Sequence, residues 1–169
     1  RSFNTCKFCA DLHNLPVEPD KRLLEINHGS WEGILAKDIE AQFPTEYHQW
    51  HTEPHLVQMP DGGESLEDVR KRTREAFDEY VEKYPDKTIL VAAHDAVNKA
   101  IICDILGLGM EHFWQIKQDN TCINVLEYNE GITWLCNEHV FRAMMAKGLA
   151  KPEDHPQFFR ELFGVHRSE

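Results

Sequence analysis

The sequence contains no long hydrophobic run and comparatively little positive charge. No apolar stretch approaches the roughly 20 residues that span a bilayer, and no signal-peptide pattern is present. The 18 lysines and arginines are outnumbered by 29 aspartates and glutamates, which gives a formal net charge of −11. Nucleic acids and anionic membrane surfaces repel such a chain, so we predict neither as a partner. An anionic substrate would need a local basic pocket.

Cysteine is also scarce. Five cysteines, an odd number, do not suggest a disulfide framework, and a reducing compartment such as the cytoplasm is the simplest prediction. Cys6-Lys-Phe-Cys9 has C-x-x-C spacing, but no second pair at zinc-ligand spacing accompanies it. We therefore predict buried structural cysteines on a helix in preference to a metal or redox site.

The most informative stretch covers residues 88–98. Residues 89–93 form a short apolar run typical of a buried parallel strand, and apolar residues at helical spacing follow from Val97. His94 and Asp95 are therefore expected between the carboxyl end of a strand and the amino end of a helix. Ligands bind at that edge of α/β sheets, and unpaired helix N–H groups there favour anions. Position alone leaves two interpretations, phosphate or carboxylate chemistry and simple helix capping by the histidine.

The other elements follow from spacing and turn residues. Ser65 is predicted to cap a long helix, and residues 45–60 lack a clean period and are predicted to be loop-rich. The predicted helices cover 2–13, 34–43, 66–84 and 95–106, with a helical turn at 110–114, a β-hairpin at 121–136 and a helical tail beyond 140.

Four segments then occur in a recognisable order. Arg1-Ser-Phe-Asn-Thr5 resembles an R-A-x-x-T motif, and residues 24–33 resemble an L-x-E-x-x-x-G-x-W-E-G loop. Residues 61–65 resemble a P-x-G-E-S helix start, and residues 91–94 resemble a strand that ends in a histidine. Each motif alone is weak. Together, in this order and spacing, they resemble the histidine phosphatase superfamily in its phosphoglycerate-mutase-like branch.

The resemblance implies an α/β fold with three layers (α/β/α) and a mostly parallel central sheet covered by helices on both faces. Residues 1–140 would form a histidine-phosphatase-like domain that lacks its first strand, with an insertion or lid at 34–62. Residues 141–169 would form a helical C-terminal extension that packs on the domain or meets a partner. The sequence leaves open whether the protein forms a homodimer.

The resemblance also implies a phosphohistidine mechanism that needs no metal or other cofactor. A nucleophilic histidine would attack the phosphoryl group, and water would hydrolyse the phosphohistidine. Arg1 would clamp the phosphoryl oxygens, and His94 would stabilise their charge in the transition state. Glu25 would protonate the leaving oxygen and later activate water. Further predicted substrate- or phosphate-binding residues are Glu64, Asn120 and Thr121.

Two departures from the family pattern leave alternatives open. The R-H-G motif that carries the nucleophile belongs before Arg1, and we expect it to lie in a preceding segment, in preference to a degenerate member. Asp95 stands where the mutase-like branch usually has glycine, whereas the acid-phosphatase branch uses His-Asp with the aspartate as proton donor. Asp95 therefore competes with Glu25 for the acid role. We favour Glu25, and helix capping would explain Asp95 in either case.

Histidines outside the motifs have plainer explanations. His28 would lie in an exposed loop or at the mouth of the pocket. The insertion contains further histidine and tryptophan side chains, and their lack of helical spacing favours loop surface or a substrate lid over a metal site (His48, Trp50, His51 and His55).

The function predicted from the sequence is hydrolysis of a phosphate monoester on a small phosphorylated or anionic metabolite. Phosphoglycerate-mutase-type phosphoryl transfer is an alternative, as is a catalytically dead or repurposed member that binds an anionic ligand. Residues 94–98, His-Asp-Ala-Val-Asn, also resemble sugar-phosphate phosphatases of cyanobacteria and plastids, including those that act on carboxyarabinitol phosphate. That likeness adds the plastid stroma to the cytoplasm as a predicted compartment.

Overall fold

The computed structural model describes residues 1–120, 122–129 and 132–136, the last of these through their backbone alone. The chain divides into two units, residues 1–118 and 119–169, which are described separately. The α-helices of the first unit are α1 (Ser2–Leu12), α2 (Ala36–Gln42), α3 (Pro44–Thr52), α4 (Leu66–Lys83) and α5 (Asp95–Ile105). Short 3₁₀ helices cover Lys21–Leu23, Gly29–Trp31, Pro54–Leu56 and Met110–Gln115.

Helix α4 begins at the cap that the sequence predicted. The Ser65 hydroxyl accepts a hydrogen bond from the Asp68 N–H at 3.1 Å, and the Asp68 carboxylate accepts one from the Ser65 N–H at 2.9 Å. This reciprocal capping box satisfies donors that the first helical turn leaves unpaired. One face of α4 is fully buried, at Leu66, Val69, Thr73 and Ala76, whereas Phe77 and Tyr80 further along the helix are half-buried.

Helices α4 and α5 form the packed centre of the first unit. Residues of α5 that face α4 are also buried, among them Val97, Ala100 and Cys103. Asp104, near the end of α5, accepts hydrogen bonds from Arg70 (2.7 Å) and Arg74 (2.5 Å) of α4. Apolar contact and ion pairs therefore hold α5 in one position, and its amino end is fixed with it.

Two glycines fix the loop at 25–33 against the turn at 60–64. Gly29 has a φ of 59°, and a Cβ there would lie 1.6 Å from the Pro60 carbonyl oxygen. A Cβ on Gly63 would lie 2.7 Å from the Asn27 carbonyl oxygen. The Glu64 N–H donates to that same carbonyl at 2.8 Å. Only glycine allows this close approach of two backbones.

The segment at 45–60 corrects the prediction of a loop-rich insertion. Most of it is helical, in α3 and the 3₁₀ helix Pro54–Leu56. Pro44 ends α2 but also begins α3, where the missing N–H of proline costs nothing. Trp50 of α3 is buried, and its carbonyl accepts a hydrogen bond from the Trp114 indole N–H at 2.6 Å. A lid role for residues 34–62 stays a prediction.

The predicted buried strand at 89–93 is not found among the described residues. The segment from 87 to 94 pairs with no strand there, and Ile89 and Leu90 are 41% and 61% exposed. An apolar β-branched run needs neighbouring strands to become a buried sheet strand, and the described residues provide none beside it. The helix predicted to follow is confirmed as α5.

The C-x-x-C cysteines also differ from the prediction. Cys9 is exposed and Cys6 is half-buried, because α1 buries only Ala10 fully. Phe8 and Leu12 of the same helix are 79% and 82% exposed. The predicted buried structural role is therefore wrong for Cys9.

The second unit contains the predicted β-hairpin. Strands β1 (Val125–Asn129) and β2 (Ile132–Cys136) pair antiparallel, with Val125 opposite Cys136 and Asn129 opposite Ile132. The helical tail predicted beyond residue 140 lies outside the described residues. No helix in the described ranges has both the length and the apolar character that a membrane crossing requires.

Candidate active site

The candidate site is built around the amino end of α5. His94 is the N-cap residue, and its carbonyl accepts the first helical hydrogen bond, from the Asn98 N–H at 2.9 Å. Asp95 is the first helical residue. The N–H groups of the first turn have no partner within the helix, so this end carries partial positive charge and favours anions. The imidazole of His94 is thereby placed beside a favourable position for phosphate.

Glu25 reaches the same helix end from the loop at 25–33. Its Oε1 accepts hydrogen bonds from the N–H of Ile26 at 3.0 Å and from the N–H of Ala96 at 3.2 Å. Ile26 is buried, and the Glu25 side chain itself is half-buried. Both bonds involve Oε1, so they leave the second carboxylate oxygen, Oε2, unused. The structure therefore brings Glu25 and His94 together at one helix terminus.

The first turn of α1 contributes a third group. The Ser2 hydroxyl oxygen lies 3.2 Å from Nε2 of His94. Both side chains are half-buried. A hydroxyl can donate to or accept from an imidazole nitrogen, so the contact is compatible with either tautomer and with the protonated ring. It restricts the orientation of the His94 ring.

Arg72 of α4 supports the loop that carries Glu25. Its guanidinium donates to both carboxylate oxygens of Glu64, at 2.7 and 3.0 Å, and to the Arg22 carbonyl at 2.6 Å. Glu64 also accepts from the Asn27 N–H at 2.9 Å. This forked ion pair orients the loop backbone on both sides of Glu25. The contacts of Glu64 in the structure are thus structural, and its predicted contact with substrate stays a prediction.

The segment before Glu25 is anchored by Asp20. Its carboxylate accepts hydrogen bonds from the Arg22 guanidinium and from the Tyr80 hydroxyl, each at 2.7 Å. The Arg22 guanidinium holds the pKa of Asp20 well below its usual range. Burial raises the pKa of Tyr80 above its usual range, and the bond to Asp20 adds to that shift. Near neutral pH, Asp20 is therefore ionised and the Tyr80 hydroxyl is protonated.

Asp95 is held by Lys99 one helical turn further along α5. The Lys99 Nζ lies 2.8 Å from Oδ2 of Asp95. Only 8% of the Lys99 side chain is exposed, and its ammonium lies over the rings of Trp114 (4.7 Å) and Phe113 (5.1 Å). The Asp95 side chain is 47% exposed beside His94. The carboxylate is therefore tied to a buried cation.

Comparison with known proteins identifies the family. The sequence profile of the histidine phosphatase superfamily (branch 1) matches residues 1–138. The chain belongs to this superfamily. The resemblance that the four motifs predicted is thereby confirmed.

Two curated relatives are phosphatases by name. The chain is 32% identical over 130 residues to phosphoserine phosphatase 1 of Hydrogenobacter thermophilus, which covers 77% of this chain and 61% of that protein. It is 30% identical over 128 residues to 2-carboxy-D-arabinitol-1-phosphatase of Triticum aestivum, which covers 76% of this chain and 26% of that protein. The chain thus spans less than two thirds of the length of either relative.

Two solved structures are similar in fold. Bacillus stearothermophilus YhfR matches with a TM-score of 0.77 at 27% identity, over 82% of this chain and 68% of that one. A mycobacterial glucosyl-3-phosphoglycerate phosphatase, Rv2419c, in complex with VO3 matches with a TM-score of 0.71 at 25% identity, over 79% of this chain and 68% of that one. The α/β class is thereby confirmed. The three-layer arrangement with a mostly parallel sheet stays a prediction.

The other residues that the sequence predicted for the site differ in their exposure and in whether the structure describes them. Arg1 is exposed at the start of α1, where its carbonyl caps the Thr5 N–H at 3.2 Å. Asn120 is exposed in the second unit, and Thr121 lies outside the described residues. His28 is half-buried and meets the Trp50 ring edge-on at 6.3 Å, so it is not a freely exposed loop residue.

Three residues that contact the candidate site residues were missed from the sequence. Lys99 follows Asp95 by four positions, and this spacing alone could have indicated the ion pair. Ser2 stands at the alanine position of the R-A-x-x-T motif, which was the available signal for an additional hydroxyl. Arg72 gave no such signal, because its partners Glu64 and Arg22 are distant in sequence.

Proposed function

We propose that the protein hydrolyses phosphate monoesters of small metabolites through a phosphohistidine intermediate. The observation that supports this most is the hydrogen bond from the Ala96 N–H to the Glu25 carboxylate, at the helix end where His94 is the N-cap residue. Transfer of a phosphoryl group from an alcohol is assisted by a proton donor for the leaving oxygen and by groups that stabilise the charge on the phosphoryl oxygens, and Glu25 and His94 suit these two roles.

Each group has a distinct role in the proposal. His94 and the first-turn N–H groups of α5 other than that of Ala96 bind the phosphoryl oxygens and stabilise their charge as the bond to the leaving oxygen breaks. Glu25 gives its proton to the leaving oxygen in the first step and takes one from water in the second. The guanidinium of Arg1 suits bidentate binding of phosphoryl oxygens.

We assign the acid role to Glu25 in preference to Asp95. The bonded oxygen of Asp95 pairs with the charged Lys99 ammonium, whereas the bonded oxygen of Glu25 accepts only from the backbone N–H groups of Ile26 and Ala96. Glu25 is also half-buried, whereas the Asp95 side chain is 47% exposed. Asp95 instead lies in the first turn of α5, where a carboxylate is favoured by the helix dipole, and pairs with Lys99.

The test uses protein produced from the complete coding sequence, because the resemblance puts the nucleophile in an Arg-His-Gly segment ahead of Arg1. Intact mass and N-terminal sequencing establish whether that segment is present. Release of inorganic phosphate is then measured with phosphoserine, sugar phosphates, carboxylated sugar phosphates and an aryl phosphate. Labelling with a ³²P substrate and rapid quenching should trap an acid-labile, alkali-stable phosphoenzyme.

Two substitutions separate the acid candidates. Glu25→Gln should lower kcat by about 100-fold or more with natural alcohol leaving groups, and much less with an aryl phosphate, whose leaving group needs no proton. Asp95→Asn should cost far less than Glu25→Gln on the same substrates. The opposite ranking would assign the acid role to Asp95, and phosphate binding without any turnover would indicate a binding module.

A further inference from the structure

A carboxylate directly after His94 creates an electrostatic problem for a phosphate site. A phosphoryl group carries up to two negative charges, and a second anion beside it disfavours binding. The chain as a whole has a net charge of −11, so the overall field does not help. Asp95 is nevertheless the first residue of α5 and 47% exposed on the side chain. Some group must offset its charge if the helix end binds phosphate.

Lys99 has the geometry to do so. Its Nζ lies 2.8 Å from Oδ2 of Asp95, while the side chain is only 8% exposed. The Trp114 and Phe113 rings lie 4.7 and 5.1 Å from the ammonium, and ring faces attract cations. Lys99 cannot reach out to a ligand in this position without leaving both rings. It therefore acts on the site through Asp95.

We propose that Lys99 is a positioning residue for phosphate binding, which neutralises Asp95 and holds its carboxylate along α5, away from the phosphoryl group. The inference rests on the proposed function. It gives the buried lysine and the aromatic residues around it a role in affinity for the phosphate part of the substrate. It also accounts for an aspartate at a position where the mutase-like branch usually has glycine.

The effect is measured as affinity for inorganic phosphate and orthovanadate, by calorimetry and as inhibition constants, on protein from the complete coding sequence. Lys99→Met keeps the length and the apolar stem but removes the charge. We expect phosphate and vanadate to bind about 3- to 10-fold more weakly, as for one uncompensated charge close to the ligand at the surface. The loss should appear mainly in KM, with a smaller change in kcat.

A double substitution distinguishes charge from packing. In Lys99→Met combined with Asp95→Asn, neither charge is present, and affinity should return to within about 2-fold of the original protein if the effect is electrostatic. Lys7→Met is the matched control. Lys7 pairs with Asp11 at the same four-residue spacing on α1, at 2.7 Å, and its loss changes the net charge equally. That control should leave phosphate affinity unchanged.

Asp95→Asn alone keeps the proposal falsifiable if Lys99→Met does not fold. It alters a half-exposed side chain and leaves the Lys99 charge uncompensated, so phosphate should bind more tightly, by about 3-fold. Weaker or unchanged binding would overturn the proposal, as would a double variant as weak as Lys99→Met. If the original protein neither binds inorganic phosphate nor hydrolyses phosphate monoesters, the proposed function fails and this inference fails with it. Normal turnover with insensitive Lys99 variants overturns this inference alone.

Discussion

The hydroxyl oxygen of Ser2 lies 3.2 Å from Nε2 of His94, a contact between residues 92 positions apart. It joins the first turn of α1 to the N-cap of α5, and it fixes the plane of the imidazole at the candidate site. The hydroxyl accepts when Nε2 carries a proton and donates when it does not. The contact is therefore compatible with either hydrogen-bond role of Nε2.

Ser2→Ala should lower kcat/KM for phosphate monoesters by about 3- to 10-fold, the value of one hydrogen bond of about 1 kcal/mol. Ser2→Thr keeps the hydroxyl and should restore most of the activity. The ¹⁵N chemical shift of Nε2 of His94, compared at one fixed pH, reports the hydrogen bond without turnover. An identical Nε2 shift in the original protein and Ser2→Ala would contradict this account.

His94→Ala should cost more than any other substitution discussed here. It removes a preorganised donor to the phosphoryl group, and losing one such donor typically lowers kcat by about 100- to 1000-fold. His13→Ala is a suitable control, because His13 is an exposed histidine at the end of α1. Steady-state rates with an aryl phosphate would suffice. Wild-type activity in the His94→Ala variant would show that His94 has no role in catalysis.

Gly29→Ala should destabilise the fold by about 2–4 kcal/mol, because it adds strain at positive φ to a collision between backbones. The Cβ would lie 1.6 Å from the Pro60 carbonyl oxygen. Gly33→Ala is the matched control, with a φ of 79° but nothing within 4 Å of its Cβ, so it should cost only about 1 kcal/mol. Urea unfolding of both variants measures the difference. Equal losses would mean that φ alone matters at Gly29.

Asp20→Asn should lower stability near pH 7 by about 1–3 kcal/mol, since it weakens charged hydrogen bonds to Arg22 and Tyr80. The Arg22 guanidinium lowers the pKa of Asp20 from its ordinary value of 3.8. Its stabilising contribution is therefore complete above pH 4 and is lost as pH falls through the lower pKa of the folded state.

The stability difference between the original protein and Asp20→Asn should thus shrink in acid below about pH 4. Asp11→Asn is the control, because Asp11 is 60% exposed in its pair with Lys7. It should change stability little at any pH. Chemical unfolding from pH 2 to pH 7 gives both curves. A constant difference for Asp20→Asn across that range would contradict the assigned pKa shift.

The sequence predicted elements whose signals are local. The Ser65 cap and the helix following His94 depend on neighbours within one or two turns, and both were confirmed. The helical character of residues 44–52 was missed because the apolar residues there have no clean helical period, although Pro44 suits the first position of a helix.

What could not be predicted depends on distant neighbours. Ile89 and Leu90 have a strand-like composition, but burial of a strand is decided by the segments beside it, which composition does not reveal. The contacts of Ser2 with His94 and of Arg72 with Glu64 are tertiary for the same reason. The roles of the predicted site residues come from the resemblance, whereas their support by Lys99 and Arg72 comes from the fold.

The bond between the Glu25 carboxylate and the Ala96 amide has one more consequence. Amides in the first turn of a helix have no helical acceptor and ordinarily exchange with solvent deuterium quickly. The Ala96 amide is bonded instead to a side chain from a loop 71 residues away. Its hydrogen-exchange rate therefore reports how often the loop at 25–33 moves away from the helix. Exchange at this one backbone amide measures the fraction of time that the Glu25 carboxylate is in place.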